Sequence, residues 1–188
     1  LSQDSSFDRT EIHKRASRWY HENNMPVEAV EFAMASGDTH FAAEVIDASV
    51  QGMIRASQVS RLLGWLTQLP DATISTSPNL LSHLAWSHAL AHQAQEAKRI
   101  VGLAEHLYRE QSDSLDEVDR KRIPEYLAEI GVITQCIKRI SDDHWDDIRP
   151  LLLIKESLHA DWVFIRATLE AELGYLYLHL DKLENAYA

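Results

Sequence analysis

Apolar residues recur at three- and four-residue intervals along nearly the whole chain, the period of helices that bury one face. The first run begins at Asp8, where Ile12, Ala16, Trp19 and Tyr20 line up before Asn23-Asn24. Pro26 suits the first turn of a second helix that turns Val27, Val30, Ala33 and Met34 inward and closes at Gly37-Asp38. A third helix is expected from Thr39 to about Val50, with Phe41, Ala42, Val45 and Ile46 facing in. A fourth runs from Ser57 to Leu69 through Leu62, Leu63, Trp65 and Leu66, and Pro70 stops it. Turns this short make consecutive helices antiparallel neighbours.

After a loop at Asp71–Ser77, Pro78 opens a fifth helix to about His92, and Gln95 to about Glu110 forms a sixth. A long helix follows from Asp116 to about Ile140, in which Pro124 predicts a kink or a broken first turn. Trp145 to about Leu158 makes a shorter partner, and Asp161 caps the last helix. That helix carries Leu173-Gly174 with Tyr177 three residues on and Ala186 twelve after the glycine. This small-aromatic-small spine resembles that of a tetratricopeptide (TPR) hairpin. Leu84-Ala85 and Ile130-Gly131 take the place of Leu173-Gly174 in two earlier hairpins. The marks Ala85, Gly131 and Gly174 are 46 and 43 residues apart, longer than the roughly 34 of a standard TPR. The expected fold is therefore all-α, a right-handed superhelix of elongated TPR-like hairpins. The expected organisation is 1–7 as a linker or remnant of a preceding domain, 8–70 as helical hairpins, and 71–188 as repeats with the last one truncated. A chain that begins with Leu and closes near the start of a hairpin's second helix is expected to be part of something longer.

Composition narrows the function classes. With 18 Lys and Arg against 29 Asp and Glu, the formal charge of −11 opposes direct binding of nucleic acid. No apolar run approaches the length of a membrane span, and the start lacks the charged and apolar regions of a signal peptide, so a cytoplasmic location is expected. Cys136 is the one cysteine, set among Ile133, Ile137 and Ile140, and is expected to be a buried, inert thiol.

The run Arg15-Ala16-Ser17-Arg18-Trp19-Tyr20-His21-Glu22-Asn23, followed by Glu28-Ala29-Val30-Glu31-Phe32-Ala33, Ala35-Ser36-Gly37-Asp38 and Ala42-Ala43, carries a resemblance. So does Leu62-Leu63-Gly64-Trp65-Leu66-Thr67-Gln68-Leu69-Pro70. In order and spacing these are similar to the helical region that follows the winged-helix part of ATP-dependent LuxR-family transcriptional regulators of the MalT type. Phe32 stands where that family usually has His, and Ser36 where it has Ala. The resemblance covers about residues 12–105. It implies a parent protein with an upstream ATP-binding module and a downstream DNA-binding helix-turn-helix, neither of whose motifs lies in this chain. It also implies a non-catalytic role, with no cofactor in this segment. The partners it implies are a small-molecule effector or a regulatory protein, together with self-association.

Candidate chemistry is sparse. His88 and His92 stand one turn apart with His83 nearby, a spacing open to zinc ligation, but an H-E-x-x-H-type third ligand is missing. Asp142-Asp143-His144-Trp145-Asp146-Asp147 lacks the spacing of a calcium loop and reads better as helix capping. Of the five tryptophans, Trp19, Trp65, Trp86, Trp145 and Trp162, most are expected to be core wedges. In a TPR-like solenoid the first helix of each hairpin lines the concave face. Counted from the small-residue marks, that face would display Asn79, Ser82 and Trp86, then Gln135, then Tyr175 and His179. Polar groups beside aromatic planes suit a small polar ligand or an extended peptide. Two other classes stay open: a free-standing TPR adaptor that holds peptides, and a metal-dependent hydrolase using His83, His88 and His92.

Overall fold

The computed structural model describes residues 2–110, 112–141, 147–158 and 163–180. Among them every regular element is helical. In order these are α1 (Ser2–Glu22), α2 (Pro26–Ala35), α3 (Thr39–Arg55), α4 (Val59–Leu66), α5 (Asp71–Ser75), α6 (Pro78–Leu90) and α7 (Ala94–Glu110). A 3₁₀ turn at Ser112–Ser114 leads to α8 (Glu117–Lys121), α9 (Ile123–Ile140), α10 (Arg149–Ser157) and α11 (Val163–His179). No described helix is long and apolar enough to cross a membrane. The acidic run 142–146, Trp145, Asp161, Trp162 and the closing stretch 181–188 with Ala186 lie outside the described residues.

The chain forms two compact units, 1–87 and 88–188. In the first, α1 packs on α2 and α3, α2 on α3, and α3 on α4 and α5. Ala29, Val30, Ala33, Ile46, Met53, Leu62, Leu66 and Leu81 are its innermost apolar residues. Each large one contributes about 1.5–3 kcal/mol by leaving water.

The face of α1 departs from the expected one. Ile12 and Trp19 are exposed, while Ser17 is fully buried. The inward row is Thr10, His13, Ser17 and Tyr20, and it is stitched to α2 largely by hydrogen bonds. Thr10 Oγ1 donates to Ser36 O (3.0 Å) and Ser17 Oγ to Ala29 O (2.8 Å), and His13 Nδ1 lies 2.7 Å from Ala35 O. Tyr20 stacks on Phe32 with ring centroids 5.1 Å apart. Trp19 is therefore no core wedge, whereas Trp65 and Trp86 are buried as expected.

Three turns are built alike. Asn24, Ser57 and His92 adopt the left-handed backbone (φ 57°, 56° and 58°) just past the ends of α1, α3 and α6. At each, the next residue's N–H reaches back five residues: Met25 to Tyr20 O (3.0 Å), Gln58 to Met53 O (2.9 Å), Gln93 to His88 O (2.9 Å). These are Schellman ends, which satisfy carbonyls the helix leaves open. Gly37 (φ 74°) turns α2 toward α3. There Asp38 caps α3 by accepting Phe41 N–H at 3.0 Å, and the Lys14 ammonium of α1 pairs with the same carboxylate. Those two donors hold the Asp38 carboxyl below the usual carboxylate range, Lys14 contributing most.

Beyond Pro70 the expected loop contains a helical turn, α5. A proline just before it and Asp71 in its first turn both favour a helix start. The expected long helix is broken at Arg122 into α8 and α9, with Pro124 in the first turn of α9. Proline has no N–H to give there and loses nothing by it.

In the second unit α9 is central: α7, α8, α10 and α11 all pack on it. Ile130, Val132, Ile133, Cys136 and Ile137 are buried around its circumference. Gly131 admits α10 closely, since a Cβ there would stand 2.6 Å from Ile154 Cδ1. Tyr126 is buried, stacks on Tyr108 (5.3 Å) and donates its hydroxyl to Asp119 (2.8 Å). Arg139 joins α9 to α11 through a forked pair with the buried Glu172, at 3.0 and 2.9 Å.

Candidate functional site

The six residues expected on a ligand face occupy unlike environments. Ser82 and Trp86 on α6 are buried in the first unit, and Gln135 on α9 is buried in the second. Asn79, at the start of α6, is half-buried and donates to Asp47 Oδ2 at 3.2 Å. Tyr175 is 53% exposed, with the Arg139 guanidinium 4.7 Å from its ring centroid, and His179 is exposed. Only Tyr175 and His179 present most of their side chains to solvent. Counting from the small-residue marks placed Ser82, Trp86 and Gln135 outside. In the structure α6 and α9 bury residues around most of their surface, so no single outward stripe exists to be counted.

The histidines singled out as metal candidates face separate partners. His83 Nε2 lies 2.7 Å from Asp47 Oδ1, and His88, which is buried, places Nδ1 2.7 Å from Gln93 Oε1. His92 takes the left-handed turn position after α6. No group of three or more potential metal ligands occurs among the described residues. Of the acidic run, the described Asp147 binds the Arg149 backbone N–H (3.0 Å) and guanidinium (2.8 Å), which lower its carboxyl to about 2. It serves the start of α10. Burial pushes the Cys136 thiol up to about 11, and the Glu172 carboxylate adds to the rise, so Cys136 remains protonated at neutral pH.

The first unit contains a surface cleft of about 430 Å³ between α3, α5 and the start of α6. One wall is a face of α3, with His40, Ala43, Glu44 and Asp47 in register at i, i+3, i+4 and i+7. The opposite wall is α5 and the turn after it, carrying Thr73, Thr76 and Ser77. Leu80 and Ala43, both buried, lie at the base. His83 and Asn79, both from α6, fix the Asp47 carboxylate. Glu44 is 62% exposed at the rim, 3.3 Å from His40 Nδ1. No role was expected for His40, Glu44 or Asp47, although their spacing places them on one face of α3. The opposite wall was not foreseen either, because a five-residue helix leaves too short a periodic signal.

The chain is 27% identical over 149 residues to the serine/threonine-protein kinase PknK of Mycobacterium tuberculosis and of Mycobacterium bovis. The match takes in 76% of this chain but 13% of the kinase. It covers a part of a much longer protein. No family model and no solved structure matches the chain.

Proposed function

We propose that this chain is a non-catalytic, cytoplasmic signal-sensing and protein-interaction region of a MalT-like LuxR-family regulator. In this reading its helices stack as a right-handed superhelix of TPR-like hairpins. Binding of an effector or partner to them is coupled to activation of the full-length protein. The observation that carries the reading is the 149-residue similarity to a small part of a protein kinase. A helical chain that is similar to part of a protein kinase, and that resembles the region between the ATP-binding and DNA-binding parts of a transcriptional regulator, fits a transmitting role shared by different outputs. The exposed Ile12 and Trp19 on α1 and the neighbouring Met25 add apolar surface of the kind that interaction regions present.

The complete reading frame tests this. It is expected to encode a phosphate-binding G-x-x-x-x-G-K-[ST] loop upstream and a helix-turn-helix downstream. A frame with neither, or one ending soon after Ala188, would overturn the reading in favour of a free-standing adaptor. In the intact protein, deleting α1–α4 is expected to uncouple effector addition from transcriptional output, measured with a reporter promoter.

A further inference from the structure

We infer that the cleft between α3, α5 and the start of α6 binds an organic cation, an alkylammonium or guanidinium group on a short apolar stem. Its polar lining consists of two carboxylates, three hydroxyls and the rim histidine, with no lysine or arginine. Both carboxylates are partnered, Asp47 by His83 and Asn79 and Glu44 by His40, and their remaining lone pairs accept further hydrogen bonds and repel anions. Charge-assisted bonds from N⁺–H donors are the strong ones available to it. Asp47 is already oriented by His83 and Asn79, so its ordering cost is met before a ligand arrives. Glu44 stands one residue row away on the same face of α3, placing a second acceptor beside the first. The buried Leu80 and Ala43 below give an alkyl stem something to cover. The size, about 430 Å³, falls within the roughly 300–1,000 Å³ of small-molecule sites. A bare metal ion fits less well, because no group of three or more potential metal ligands occurs among the described residues.

This assignment names the effector chemistry of the sensing role proposed above and rests on that role for its purpose, though not for binding itself. The test is calorimetric titration of the protein with agmatine and putrescine. The neutral 1,4-butanediol serves as control, and a short arginine peptide tests whether the cation comes from a partner's side chain. Saturable one-to-one binding of agmatine, with none of butanediol, is expected. Glu44→Gln should weaken it about fivefold, the size of one partly exposed charge contact. Ala72→Trp, which fills the cleft from an exposed position on α5, should abolish it, while Glu96→Gln in the other unit should leave it unchanged. Circular dichroism confirms that each variant is folded. Binding of the peptide alone, lost in Ala72→Trp, supports the same chemistry and assigns it to a protein partner. No saturable binding of either cation source, or binding indifferent to both Glu44→Gln and Ala72→Trp, overturns the inference and leaves the sensing role to the reading-frame test. Agmatine binding that never alters the output of the intact regulator overturns the sensing role and leaves the cleft assignment standing.

Discussion

Asn24, Ser57 and His92 show how single residues set the turns of this chain. A side chain in the left-handed region costs roughly 1 kcal/mol that glycine does not incur. Ser57→Gly and His92→Gly are therefore each expected to raise stability by up to about 1 kcal/mol in urea unfolding, and Asn24→Gly by less, since asparagine tolerates this region. Gly37→Ala, at φ 74°, should lower it by about 1 kcal/mol. Asp38 adds a pH dependence. Its carboxyl is held low in the fold, so its contribution is full above the ordinary carboxylate pKa and is lost as pH falls through the depressed value. The unfolding midpoint should drop on acidification below about pH 4, and less steeply in Asp38→Asn, which cannot titrate. Asp38→Ala should lower the midpoint further than Asp38→Asn at neutral pH, because it removes the cap of α3 as well as the Lys14 pair.

At the scale of elements, the α1–α2 seam gives the clearest test. Trp19→Ala is expected to change stability by no more than about 0.5 kcal/mol, as an exposed position should. Ser17→Leu should cost about 2 kcal/mol or more, because it forces volume into a closed gap and removes the bond to Ala29 O. Thermal unfolding of the two variants decides between this orientation and the one the apolar pattern favours. Helices α2, α3, α6, α7 and α9 were legible in the sequence because each repeats an apolar period over ten or more residues. The break before α9 was legible in Pro124. The buried face of α1 was not, since Ser17 finds its partner in a backbone carbonyl that no side-chain pattern displays. The cleft was not foreseen: the spacing of His40, Glu44 and Asp47 puts them on one face of α3, but nothing in the apolar pattern marks that face, and the α5 wall is only one turn long. The ligand face counted from Ala85 and Gly131 mistook Ser82, Trp86 and Gln135 for outward residues because a small-residue mark locates close packing and not a solvent side.

For the whole molecule, the charge of −11 is a global repulsion that local pairs such as Arg139–Glu172 only partly offset. Raising ionic strength from low values to about 0.15 M should therefore raise the unfolding midpoint, since screening weakens the sum of distant like charges more than close, part-buried pairs. A differential scan at two salt concentrations checks the sign. The thiol of Cys136 offers a second global reading. Its folded-state pKa, raised to about 11, means its contribution is full below the unfolded thiol value and is lost as pH climbs toward 11. The alkaline loss of stability should accordingly be shallower in Cys136→Ala. The same burial turns the residue into a clock. As the sole cysteine, carried on α9, 2% exposed and lying against the Arg139–Glu172 pair, it meets a maleimide only when the second unit opens. The rate of its alkylation under native conditions thus counts opening events, without a label added to the chain. Arg139→Met, which unlatches α11 from α9, should make that clock run faster while the first unit's exchange rates stay as they were.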